Sequence, residues 1–124
     1  ADAIEKVDDK DGSFYEQEEE WCIGEILKHV HIEKRIVLEN VGPDGSLIAG
    51  YDGRHMNPGH AIEAGWFVFS YAERHDRKDL LQLATDMIEW SFENGGEKES
   101  GGLYYFLDSE GKSPPYLEWN MKLW

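Results

Sequence analysis

The sequence predicts an all-α fold built from helical hairpins, with a small β-hairpin beside them. Three segments of helical length repeat their apolar residues at close to i, i+3, i+4, i+7 spacing. The middle segment is apolar nearly all round, as in a helix covered on both sides. The joins carry turn chemistry and short β-prone runs rather than long polar loops.

The first helix is expected from about Glu16 to His31, with Trp21, Ile23, Ile26, Leu27 and Val30 on its packed face. The acidic run from Glu16 to Glu20 then falls at its start, where negative charge suits the helix dipole, and reads as a solvated first turn. Ile36 to Val41 reads as a short strand or extended link, Gly42-Pro43-Asp44-Gly45 as a turn, and a loop runs on to Arg54. The second helix spans about Pro58 to Arg74, and its Ile62, Trp66, Phe67, Val68, Phe69 and Tyr71 predict a buried inner position. A break at His75-Asp76-Arg77 leads to a third helix, about Lys78 to Glu93, which Asn94-Gly95-Gly96 ends. Leu103 to Leu107 is β-prone and Asp108 to Gly111 is a turn. Pro114-Pro115 leads into an extended Tyr116-Leu117-Glu118, so a hairpin is expected there.

Composition narrows the function classes. A net charge of −14 over 124 residues, with a pI near 4.6, repels phosphate backbones and anionic lipid surfaces. Neither nucleic acid nor a membrane is an expected partner. Cys22 is the only cysteine, so no internal disulfide can form, and on a packed helix its thiol is expected to be buried and inert. No apolar run approaches the roughly 20 residues needed to span a bilayer, and no signal peptide is visible. The expected location is cytoplasmic.

The stretch from Gly53 to Trp66 carries the chemistry. Asn57 suits an N-cap and Pro58 the next position, where no amide hydrogen is needed. His60 then falls in the first helical turn, where the exposed N–H groups disfavour a positive ring, and a neutral imidazole there can take a proton from carbon or oxygen. Glu63, three residues on, shares that helix face and is expected in the same pocket, although a buried carboxylate paired with Arg54 is the structural alternative. His60 could likewise be a core or capping residue. Arg54 could hold a hydroxyl or carbonyl oxygen, or stand in an ion pair. Trp66 and Trp124 offer aromatic faces suited to a ligand's C–H bonds, with core packing the competing role for Trp66. Gly59 and Gly65 would let a ligand or helix approach closely. His29 and His31 are expected at the surface. No metal is expected, because a site needs three or four ligands in register and His55 precedes the helix that carries His60.

Gly53-Arg54-His55-Met56-Asn57-Pro58-Gly59-His60-Ala61-Ile62-Glu63-Ala64-Gly65-Trp66-Phe67, the Val37-Leu38-Glu39-Asn40-Val41 segment and the stretch from Gly101 to Trp124 together resemble the N-acylglucosamine 2-epimerase family. Animal members of that family are also called renin-binding proteins. The Leu117 to Trp124 ending resembles the acylglucosamine branch more than the cellobiose epimerases or mannose isomerases of the superfamily. The resemblance implies an (α/α)6 barrel with small β-hairpins at one end, of which residues 1–124 would be the central part of one domain, inactive alone. It also implies interconversion of N-acetyl-D-glucosamine and N-acetyl-D-mannosamine at C2. In that reading His60 is one of two bases, Glu63 orients it or binds a hydroxyl, and Arg54, Asn57, Trp66 and Trp124 bind substrate. The family's second catalytic histidine and its substrate-binding arginine have no counterpart in these residues. No cofactor is implied for the chemistry; ATP or a related nucleotide is implied as an allosteric activator, without any phosphate-cradling loop here to support it. A homodimer, and renin as a partner in animal relatives, come from the same source. The alternatives are a cellobiose or mannose epimerase, or a non-catalytic binding protein of the renin-binding kind.

Overall fold

Asn57 and Pro58 begin the central helix of the computed structural model, which describes residues 12–114, with side chains from Tyr15 onward. Helix α1 spans Gly12–Lys28, α2 Pro58–Arg74 and α3 Lys78–Gly95. Four two-residue strands accompany them: β1 (Val30–His31), β2 (Ile36–Val37), β3 (His55–Met56) and β4 (Leu107–Asp108). β1 pairs antiparallel with β2, placing Val30 opposite Val37, and β3 pairs antiparallel with β4, placing His55 opposite Asp108. The described part is therefore mostly helical, with one short antiparallel ribbon inside the α1–α2 connection and a second that pairs the end of that connection with the segment after α3.

α2 and α3 form the most extensive helix contact and are joined by a tight turn. Asp76 takes a left-handed backbone conformation (φ 49°), and the Arg77 N–H reaches back 2.9 Å to the Ala72 carbonyl, which closes α2. Two glycines set how closely the hairpin packs. A Cβ at Gly65 would lie 2.7 Å from Ile88 Cγ1, and one at Gly95 only 2.4 Å from Cβ of the Pro58 ring. Ile23, Val37, Val68, Tyr71, Leu80, Ala84 and Met87 form the main core between the three helices and β2. Ile36, Leu38 and Met56 form a second, smaller cluster that ties β2 to β3.

Several expectations are corrected. α1 begins at Gly12, so the acidic run lies inside the helix rather than at its start. Within that run Glu19 is buried and bonded to Arg74, with His75 Nε2 3.3 Å from its other oxygen. It is an interhelical clamp, because the helix rotation turns this one carboxylate towards the end of α2. Trp21 and Cys22 point to solvent instead of packing. α2 is buried on one side only: Val68 and Ala72 are fully enclosed, whereas Trp66 is 58% and Phe67 46% exposed. The described chain supplies a second layer on one flank of α2 and none on the other. In the β-prone run after α3, Leu107 pairs with Met56 of β3. Residues 116–118, assigned to the expected hairpin's other strand, lie outside the described residues, as does Trp124.

Candidate active site

His60 stands at the rim of a cleft of about 260 Å³ between the end of α1, the segment after β2 and the first turns of α2. Glu25, Ile26 and His29 line it from α1, Val37, Leu38 and Glu39 from β2 and its extension, and Asn57, His60, Ala61 and Ala64 from α2. Each wall is fixed by backbone bonds. The Leu38 N–H donates to the His29 carbonyl (2.9 Å) and the Glu39 N–H to the His55 carbonyl (2.8 Å). The second bond places Glu39 beside the residue that leads into the Asn57 cap.

Asn57 is 2% exposed. Its backbone is extended (φ −120°, ψ 100°), and its Oδ1 accepts the His60 N–H at 3.1 Å, so the side chain caps α2 as its sequence position predicts. That bond fixes the amide's orientation and leaves Nδ2 as a buried donor with no partner among the described residues. A buried N–H costs about 1–3 kcal/mol when unpaired, so an acceptor entering the cleft has something to gain there.

The His60 ring meets a carboxylate, Glu39. Nδ1 lies 2.9 Å from Oε1 and 3.2 Å from Oε2. The His60 side chain is 49% exposed and that of Glu39 29% exposed. Glu63 lies elsewhere: it is exposed on α2 and is not among the described residues that line the cleft. Glu39 falls within the Val37 to Val41 segment, and no local signal links it to a ring 21 residues away.

Arg54 is also outside this cleft. Its Nε donates to both oxygens of Asp108, at 3.1 and 3.2 Å, across the β3–β4 ribbon. The Arg54 guanidinium, with the Glu110 N–H in support, holds the Asp108 carboxyl down at about 2. Of the two roles open to Arg54 in sequence, the structure displays the ion pair. Trp66 projects from the open face of α2, stacked on Phe67 with ring centroids 5.1 Å apart. Thus Asn57 and His60 are brought together, Glu39 joins them, and Arg54, Glu63 and Trp66 stand apart in the described chain.

His29 and His31 are half-buried rather than surface residues. His29 Nδ1 is 2.9 Å from the Leu38 carbonyl, which ties the end of α1 to the cleft wall. The His31 Nε2 is buried without a partner among the described residues, and burial together with Lys34 pushes that imidazole's pKa down. Among the described residues, no three His, Cys, Asp or Glu side chains converge as metal ligands, and no helix is long and apolar enough to cross a membrane.

Residues 6–124 match the family described as N-acylglucosamine 2-epimerase (GlcNAc 2-epimerase). A Mus musculus protein named N-acylglucosamine 2-epimerase is 45% identical over 113 residues, which are 90% of this chain and 27% of the relative. Its Bos taurus namesake is 47% identical over 106 residues, 85% of this chain and 25% of the relative. The Homo sapiens namesake is 38% identical over 120 residues, 96% and 28% respectively. The chain thus spans about a quarter of the length of the relatives it matches.

Proposed function

The chain belongs to the N-acylglucosamine 2-epimerase family, and on that premise we propose that it is the central part of an (α/α)6-barrel subunit that interconverts N-acetyl-D-glucosamine and N-acetyl-D-mannosamine. The observation that carries this reading is His60 at the start of α2, facing the same cleft as the buried, unsatisfied amide of Asn57. In the open-chain sugar the aldehyde acidifies the C2–H bond. His60 takes that proton, the C–H electron pair moves into the carbonyl to give a 2-acetamido enolate, and a second base returns a proton to the opposite face. The second base is expected from a part of the subunit beyond these residues. Asn57 Nδ2 donates to a sugar oxygen in the cleft. No metal or redox step is needed in this scheme.

The open face of α2, with Trp66 and Phe67 exposed, is the surface that the remaining helices of the barrel would cover. Glu63, on that face, would then approach the substrate from within the assembled barrel, as would Trp66, and a substrate contact for Trp124 rests on family likeness alone. A cytoplasmic homodimer activated by ATP or a related nucleotide completes the proposal on family likeness alone. The relatives' names favour the acylglucosamine reading over a cellobiose or mannose epimerase.

The test is a substrate comparison with the full-length subunit, following C2 epimerisation of N-acetylmannosamine, mannose and cellobiose by NMR. Turnover of the N-acylated sugar in preference to the other two is expected. Preferential turnover of cellobiose or mannose would overturn the assignment.

A further inference from the structure

We infer that Glu39 is a positioning residue that fixes His60 in a single tautomer, an inference that rests on the reading of His60 as a base. A carboxylate offers acceptors only, so the nitrogen that faces it must be the donor. With Nδ1 2.9 and 3.2 Å from the two Glu39 oxygens, the proton of the neutral ring resides on Nδ1 and the basic lone pair on Nε2. When Nε2 takes the C2 proton, the ring becomes an imidazolium whose Nδ1–H already faces a negative charge. The charge that develops during the reaction is thereby met without rearrangement.

Half-exposed ion pairs are common and contribute little, so anchoring decides the case. Both partners are anchored through their backbones. The Glu39 N–H is bonded to the His55 carbonyl, its neighbour Leu38 is 3% exposed, and the Asn40 side chain donates to the Asp52 carbonyl. The His60 N–H is bonded to Asn57 Oδ1. β3 and the cap thus fix the two backbone positions from which the carboxylate and the ring meet. It also lies in the cleft wall beside the orphan donor of Asn57, which a chance surface pair would not.

The experiment uses the full-length subunit labelled with 15N-histidine, read without substrate and above the titration of the ring, together with C2 proton exchange of N-acetylmannosamine in D2O. In the unmodified protein the His60 shifts should report one tautomer, protonated at Nδ1. In Glu39→Leu, with the fold verified by circular dichroism, they should report a mixture. For that variant kcat for exchange should fall about 100-fold, the lower end of what a well-placed proton acceptor contributes, while KM stays within about threefold. Glu39→Gln, whose amide oxygen can still accept from Nδ1, should lie between the two. An unchanged tautomer in Glu39→Leu, or a changed one with undiminished kcat, overturns the positioning role. Exchange retained in His60→Ala would overturn the base assignment by itself, since the tautomer is read without substrate.

Discussion

The carboxylate of Glu39 and the imidazole of His60 meet at 2.9 Å, although they come from an extended segment and a helix start separated by the whole loop between β2 and β3. Their meeting depends on the β3 backbone, because the His55 carbonyl holds Glu39 and the residues directly after β3 cap α2. An imidazole, a carboxylate and an amide donor without a partner among the described residues are thus gathered around the β3–α2 junction.

Asn57 separates capping from binding. Serine is also a good N-cap, so Asn57→Ser should retain α2 while deleting the Nδ2 donor. kcat/KM for N-acetylmannosamine should fall about tenfold, equivalent to about 1.4 kcal/mol, with melting temperature little changed. A loss of stability without a loss in kcat/KM would make Asn57 a cap only. Steady-state kinetics beside thermal denaturation decides it.

Gly95 lets the end of α3 lie against the Pro58 ring. The ring cannot rotate away, so Gly95→Ala must displace the first turn of α2. Overpacking of this kind costs about 1–3 kcal/mol, more than the roughly 1 kcal/mol alanine gains over glycine in a helix. Both the denaturation midpoint and the exchange rate should fall, since His60 rides on the displaced turn. For comparison, Met87→Ala in the fully enclosed core should cost about 2–5 kcal/mol.

Much of this was legible in sequence, and the division follows range. The start of α2 at Pro58 and its end at Arg74 follow from cap and turn residues within a few positions, and both match the expected bounds. The contacts that cross the chain were not legible. Nothing local links Glu39 to His60, Arg54 to Asp108 or Glu19 to Arg74. The acidic run read as a solvated start because its periodicity does not reveal that Glu19 alone faces another helix. The apolar circumference of α2 led to an expectation of burial on both sides, whereas the described residues cover one side.

The Arg54–Asp108 pair gives the β3–β4 ribbon an acid limit. The Asp108 carboxyl is held at about 2, below its ordinary value of 3.8, so the pair's contribution is complete above the ordinary value and is lost as pH falls towards about 2. Melting temperature followed from pH 6 down to pH 2 should therefore drop in that window. Asp108→Asn should melt lower at pH 6 and show a shallower acid slope, and equal slopes would contradict the pairing.

Glu19 closes α1 onto the end of α2 through Arg74 and His75. Glu19→Leu leaves those donors without their carboxylate and should destabilise the fold by about 1–3 kcal/mol in urea denaturation. No change in midpoint would mean that the clamp is replaced by solvent.

The central claim is that His60 moves the C2 proton. Proton exchange at C2 of N-acetylmannosamine in D2O, followed by NMR in the full-length subunit and its His60→Ala variant, tests it directly. Deuterium incorporation with net epimerisation is expected in the parent, and loss of both, or exchange from one epimer only, in the variant. Unchanged exchange and epimerisation in a folded His60→Ala protein would contradict the account and reduce the residue to part of a helix cap.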